Sequence, residues 1–195
     1  MKYKVKKIRD RIYSVVVPDD YDRAMLFLRA QEYYENPKFK GNIFDIWDFI
    51  KHYSKEKDGF TYAKDWTGFN LPANKAIQLY SSLSIQSFTK YDTIFNSILL
   101  NIRCKDAYII GVDKLKGEIF NHELAHALYY IDNDYKKEVD KLTYKLENYN
   151  GYKRMLIKMG YDSKFVDDEI QANMISGEFT DKDKSYLNIF NSFNK

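Results

Sequence analysis

The stretch AYIIGVDKLKGEIFNHELAHALYYI (107–131) decides how the chain is read. Residues 107–112 are short, rich in β-branched side chains and end at a turn, so they predict a strand. Asp113 to Lys116 lead into a helix of about 117–131. Within that helix His122 and His126 stand one turn apart on one face, with β-carbons about 5–6 Å from each other. Two imidazoles at this spacing can grip one tetrahedral ion. Glu123 lies about 100° round the helix, beside both rings but out of line with them, where a carboxylate reaches a water rather than the ion. Leu124 and Ala125 are uncharged, and Ile119, Phe120, Ala127 and Leu128 extend the apolar character on both sides, as expected of a helix buried beneath a cleft.

Working outward, the C-terminal side reads as helices at about 134–149, 151–159, 163–176 and 182–193, with Gly160 and Gly177 as stops. On the N-terminal side, residues 3–17 predict a strand closed by Pro18, and Asp19 and Asp20 offer caps to a helix of about 21–35 with Ala24, Leu26, Phe27 and Ala30 inward. In that helix Arg29, Glu32 and Glu35 have the spacing of surface ion pairs. A helix of about 43–56 places Ile43, Ile46, Trp47, Ile50 and Tyr53 on one stripe. Residues 57–74 carry Gly59, Gly68 and Pro72 and read as a long loop, its aromatic part FTYAKDWTGFN (60–70) either facing a substrate or tacked down by its own rings. A short helix near 74–82 follows. Tyr91, Ile94, Phe95, Ile98, Leu99 and Ile102 then mark a clear buried helical stripe. The fold class expected is α+β, predominantly helical, with a small N-terminal or edge sheet beside the helix that carries both histidines.

Composition removes several function classes. The 195 residues suit a single domain. A net charge of +3 on 31 basic and 28 acidic residues gives no reason to expect nucleic acid. One cysteine, Cys104, excludes a disulfide framework and a cysteine-based zinc ribbon. The N-terminal residues are threaded with charge (Lys2, Lys4, Lys6, Lys7, Arg9 and Arg11 against Asp10), which reads as a solvated strand face and not as a secretory signal. No apolar run approaches the length of a membrane span, so neither export nor a membrane partner is expected and a cytoplasmic setting is. Only three histidines are present, and two of them fall at the one metal-binding spacing.

Two histidines leave a zinc site incomplete, since a catalytic site takes three protein ligands and keeps one position open. Three residues are candidates for the third. His52 sits near a lysine-rich helix end and reads as a bystander. Asp132 follows His126 by six residues, but a continuing helix turns it to the wrong side. Glu169, in VDDEIQANMISGEF (166–179), lies on a helix suited to pack against the histidine helix, with the small Ala172 allowing close approach. Glu169 is the preferred ligand and Asp132 the alternative. Asn173, one turn beyond Glu169, is placed to accept an N–H from a ligand imidazole. Tyr130, one turn beyond His126, is a candidate for the same supporting shell or for an oxyanion donor. Acids at 167–169 are also what the first turn of any helix favours.

HELAH followed downstream by E-x-x-A-N resembles the glutamate-type zincin metallopeptidases, the gluzincins, and EIQAN (169–173) is similar to the matching segment of ImmA/IrrE-type bacterial metallopeptidases. The resemblance covers residues 106–177. It implies a zincin-like fold, Zn2+ as cofactor, His122, His126 and Glu169 as ligands and Glu123 as general base. It further implies a peptide or protein substrate, and a strand before the histidine helix that forms the sheet edge along which an extended peptide lies. On this reading 1–105 is a mixed α/β part of unassigned role, 106–177 the metal-binding core and 178–195 a C-terminal helix. A zincin-like binding protein without peptidase activity and a zinc hydrolase of small amides are the competing readings.

Overall fold

The computed structural model describes residues 1–179 and 184–194. Its charged N-terminal stretch is not one strand but a hairpin: β1 (Lys4–Arg9) and β2 (Ile12–Val16) pair antiparallel, with Arg11 in the left-handed region at φ 58°. No glycine or asparagine marks this turn, which is why the pattern reads as continuous. β2 pairs in parallel with β4 (Tyr108–Val112), and β4 pairs antiparallel with β3 (Phe69–Pro72), so the order is β1-β2-β4-β3. The fold is α+β and mostly helical, with ten α-helices beside this four-stranded mixed sheet among the described residues.

The chain divides into two compact units, Met1–Leu115 and Lys116–Lys195. β4 belongs to the first, because it is hydrogen-bonded on both sides within that unit's sheet. This corrects one expectation: β4 is an inner strand with no free edge for a peptide. The sheet ends instead at β1, whose exposed lysines blunt its edge, and at β3, whose Pro72 lacks an N–H donor.

In the first unit, α1 (Asp20–Glu35) is capped by Asp19, which accepts from the Asp22 N–H at 2.8 Å. The helix is buried on nearly every side, and Arg29 and Glu32 turn inward instead of pairing on the surface. Arg29 faces Asp92 at 3.5 Å, and Glu32 accepts from the Tyr62 hydroxyl at 2.7 Å. Phe27 lies against β4, stacks on Phe69 at 5.3 Å and meets Phe95 edge-on at 5.0 Å. Phe95 belongs to α5 (Lys90–Ile102), opened by a Thr89–Asp92 capping box, and α4 (Ala73–Ser82) packs beside both.

Two further readings need correction here. The helix α2 (Ile46–Lys57) buries Ile46, Phe49 and Tyr53, while Trp47 is 65% exposed and Ile43 lies before the helix. Phe49 turns the buried face, because it enters an aromatic cluster with Phe39, Phe44, Tyr53 and Tyr62. Residues 57–74 are not a long loop. They hold the short helix α3 (Tyr62–Asp65) and β3, with Tyr62 and Phe69 buried as anchors. The basic N-terminal strand is solvated as its charges imply.

The second unit is helical. α6 (Glu118–Ile131) packs on α9 (Val166–Ser176), and α7 (Asn133–Thr143) packs on both. α7 ends six residues before its expected limit, and α8 (Tyr149–Lys158) starts two residues early. α9 starts at 166 and not 163, since a turn at Asp162 to Phe165 precedes it. α10 (Lys184–Phe193) covers the described part of the helix expected at 182–193; residues 182 and 183 lie outside the described residues. Its Tyr186 and Phe190 are buried, and the Tyr186 hydroxyl lies 3.0 Å from Thr143 Oγ1 on α7.

Candidate metal centre

Small and aliphatic residues set α6 into the second unit. Leu124, Ala125, Ala127 and Leu128 are fully buried, as is Ala172 on the facing helix α9. With the helices held close, His122, His126 and Glu169 each turn a ligand atom to one point, the atoms lying within 4.8 Å of one another. The two Nε2 atoms are 3.1 Å apart, and His126 Nε2 is 3.7 Å from Glu169 Oε1. Tetrahedral zinc with bonds of about 2.0–2.1 Å to nitrogen holds neighbouring donors about 3.3–3.4 Å apart. Two of the separations bracket that figure and the cluster as a whole spans 4.8 Å, so the donor set is of a size and chemistry that could hold a metal ion.

The orientation of each ring agrees. His126 Nδ1 is 2.9 Å from Asp168 Oδ1, and His122 Nδ1 is 3.4 Å from Ser176 Oγ. An ionised carboxylate only accepts, so Nδ1 of His126 carries a proton and its Nε2 is the atom offered to the cluster. Two nitrogen lone pairs at 3.1 Å repel unless a proton or a cation lies between them. Burial by itself pushes the His126 imidazolium down, but the carboxylates of Asp168, Glu169 and Glu123 outweigh it and raise His126 to about 10. Burial and the charge on His126 push His122 down to about 3. Glu123, itself 6% exposed, lies in the same α6 segment.

Of the residues picked out from the sequence, His122, His126 and Glu169 meet, and four others are placed differently. Asp132 caps α7, accepting from the N–H groups of Asp134 and Tyr135 at 3.1 Å each, and so serves a helix end and not the cluster. Asn173 does not accept from an imidazole. Its Nδ2 donates to the main-chain carbonyl of Glu169 at 2.8 Å, and Asp168 and Ser176 face the two Nδ1 atoms instead. Tyr130 is 47% exposed, and the groups that face the two Nδ1 atoms are Asp168 and Ser176. His52 lies on α2 in the first unit, where its Nδ1 is 3.1 Å from Lys38 Nζ.

Asp168 was hidden by its neighbours, because three consecutive acids in a first turn are what the helix dipole favours anyway. The structure separates them. Asp167 accepts from the hydroxyls of Tyr144 and Tyr149, Asp168 faces His126 Nδ1 and Glu169 faces His126 Nε2. Adjacent helical residues diverge by about 100°, which lets Asp168 and Glu169 address the two nitrogens of one ring. The chain matches no protein-family model, no curated protein and no solved structure. No helix among the described residues is long and apolar enough to cross a membrane.

Proposed function

We propose that the protein is a zinc-dependent metallopeptidase of the HExxH…E type, with a peptide or protein as substrate. The observation that carries this reading is the convergence of His122, His126 and Glu169 on one point. The resemblance of HELAH and EIQAN to glutamate-type zincins supports it. His122, His126 and Glu169 hold the metal, which when bound supplies Lewis acidity toward a carbonyl and lowers the pKa of water. Asp168 holds the His126 ring by its Nδ1–H, keeping Nε2 turned inward. Glu123 takes a proton from the attacking water and returns it to the leaving amine, the two proton transfers that amide hydrolysis requires. Leu124, Ala125, Ala127 and Leu128 exclude water behind the site.

The test is metal content followed by turnover on a peptide library. Purified protein is expected to hold one zinc per chain, and His122→Ala to lose it. Glu123→Gln is expected to keep the zinc and to lose turnover by about 10²–10⁴-fold. Wild-type turnover in Glu123→Gln, or in protein stripped by a chelator, overturns the assignment.

A further inference from the structure

The hydrogen bond from His126 to Asp168 does not end there. Gln171 Nε2 donates to the same Asp168 Oδ1 at 3.0 Å, and the Tyr135 hydroxyl donates to Gln171 Oε1 at 2.8 Å. Tyr135 and Gln171 are both fully buried. Tyr135 sits in the first turn of α7, where Asp132 Oδ1 accepts from its N–H. A continuous polar chain therefore leads from the start of α7, across α9, to the face of His126 turned away from the cluster.

The direction of the chain follows from one constraint. Asp168 accepts only, so Gln171 must present its amide nitrogen to it, which leaves the amide oxygen facing Tyr135 and obliges that hydroxyl to donate. Each member has one orientation that satisfies every partner. Without the Tyr135 hydroxyl, Gln171 Oε1 is a buried acceptor with no donor, a state that costs free energy. Turning the amide over relieves nothing, because it sets oxygen against oxygen at Asp168 and drives the carboxylate off His126.

We infer that Gln171 and Tyr135 are positioning residues for the metal centre, locking Asp168 so that His126 keeps its Nδ1–H outward and its Nε2 inward. This rests on the zinc reading above. It assigns to α7 a part in metal affinity, although α7 supplies no ligand to the cluster.

The experiment measures zinc affinity against a competing chelator, and the proton resonance of His126 Nδ1–H in the zinc-loaded protein. Gln171→Met keeps the side chain's length and Tyr135→Phe removes a single oxygen, so both are mild. Each is expected to weaken zinc binding several-fold, less than the roughly 10–100-fold that losing Asp168, the direct partner of His126, would cost. Each is also expected to shift the Nδ1–H resonance and speed its exchange with water. Asp168→Asn, which keeps an acceptor oxygen without the charge, is expected to fall between wild type and Asp168→Leu. If Tyr135→Phe fails to fold, Gln171→Met carries the test alone. Variants that melt earlier but bind zinc as tightly as wild type, with an unmoved resonance, reduce the chain to packing and overturn the inference. A wild-type protein that binds no zinc overturns the metal reading itself, a distinguishable failure that takes the inference with it.

Discussion

Glu32 and Asp168 are both carboxylates set into helices, and their partners give them opposite tasks. Asp168 meets an imidazole and an amide, and orients a ligand. Glu32 meets only neutral donors, the Tyr62 hydroxyl at 2.7 Å and Asn36 Nδ2 at 2.6 Å. Burial therefore dominates, and Glu32 is raised to about 7 from an ordinary value of 4.5. Because the folded chain holds this proton more tightly than the unfolded chain, the stabilisation is complete below pH 4.5 and is lost as pH rises through 7. A shift of this size corresponds to about 3 kcal/mol. Both tryptophans, Trp47 and Trp66, lie in the first unit, so their fluorescence follows the unfolding of the part that contains Glu32. Urea midpoints read this way should fall between pH 5 and pH 8 in the wild type and stay nearly level in Glu32→Gln. An equal slope in the variant would assign the pH dependence to another group. The convergence of 122, 126 and 169 was legible in part, the two histidines by helical spacing within one element and Glu169 through the EIQAN segment on another helix. Asp168, Gln171 and Tyr135 were not, since their roles arise from pairings between helices that no local period records.

At the scale of elements, legibility followed the strength of the period. The α5 stripe from Tyr91 to Ile102 is buried or half-buried throughout, as its spacing predicts. The α2 stripe was right at Ile46 and Tyr53 but took Ile43 and Trp47 in place of Phe49, because they fit the period as well and only the aromatic neighbours of Phe49 decide between them. β3 was missed because four residues ending in proline are too few to show alternation. One close fit between elements is α1 on β4 at Gly111. A Cβ added at Gly111 would come 2.4 Å from the Phe27 ring, which is itself held by Phe69 and Phe95. Gly111→Ala should therefore destabilise the first unit by about 1–3 kcal/mol, the range for overpacking a filled core. Combining it with Phe27→Leu, which vacates the contact, should recover part of the loss. A Gly111→Ala protein as stable as wild type in a fluorescence-detected urea titration would show that the ring has room to move.

Across the whole molecule, the candidate ligands are confined to one of the two units. His122, His126, Glu169 and the side chains that hold them all fall within Lys116–Lys195, while the sheet and both tryptophans fall within Met1–Leu115. A ligand that binds only the folded state stabilises what it binds, by about 2.7 kcal/mol at 100 times its dissociation constant. Zinc should thus slow amide exchange in α6, α7 and α9, the helices joined through the cluster and through the Tyr135–Gln171–Asp168 chain. Exchange in β2 and β4, which is governed by the first unit's own core, should change far less. The comparison requires no substrate: hydrogen exchange is followed by mass spectrometry in protein with zinc and in protein treated with a chelator. Protection gained in 118–131 and 166–176 without a matching gain in 12–16 and 108–112 is the expected pattern. A uniform gain would mean that the two units unfold as one. No gain at all would mean that the cluster takes no metal. The first of these results would leave the zinc site standing and remove the independence of the units; the second would remove the zinc site.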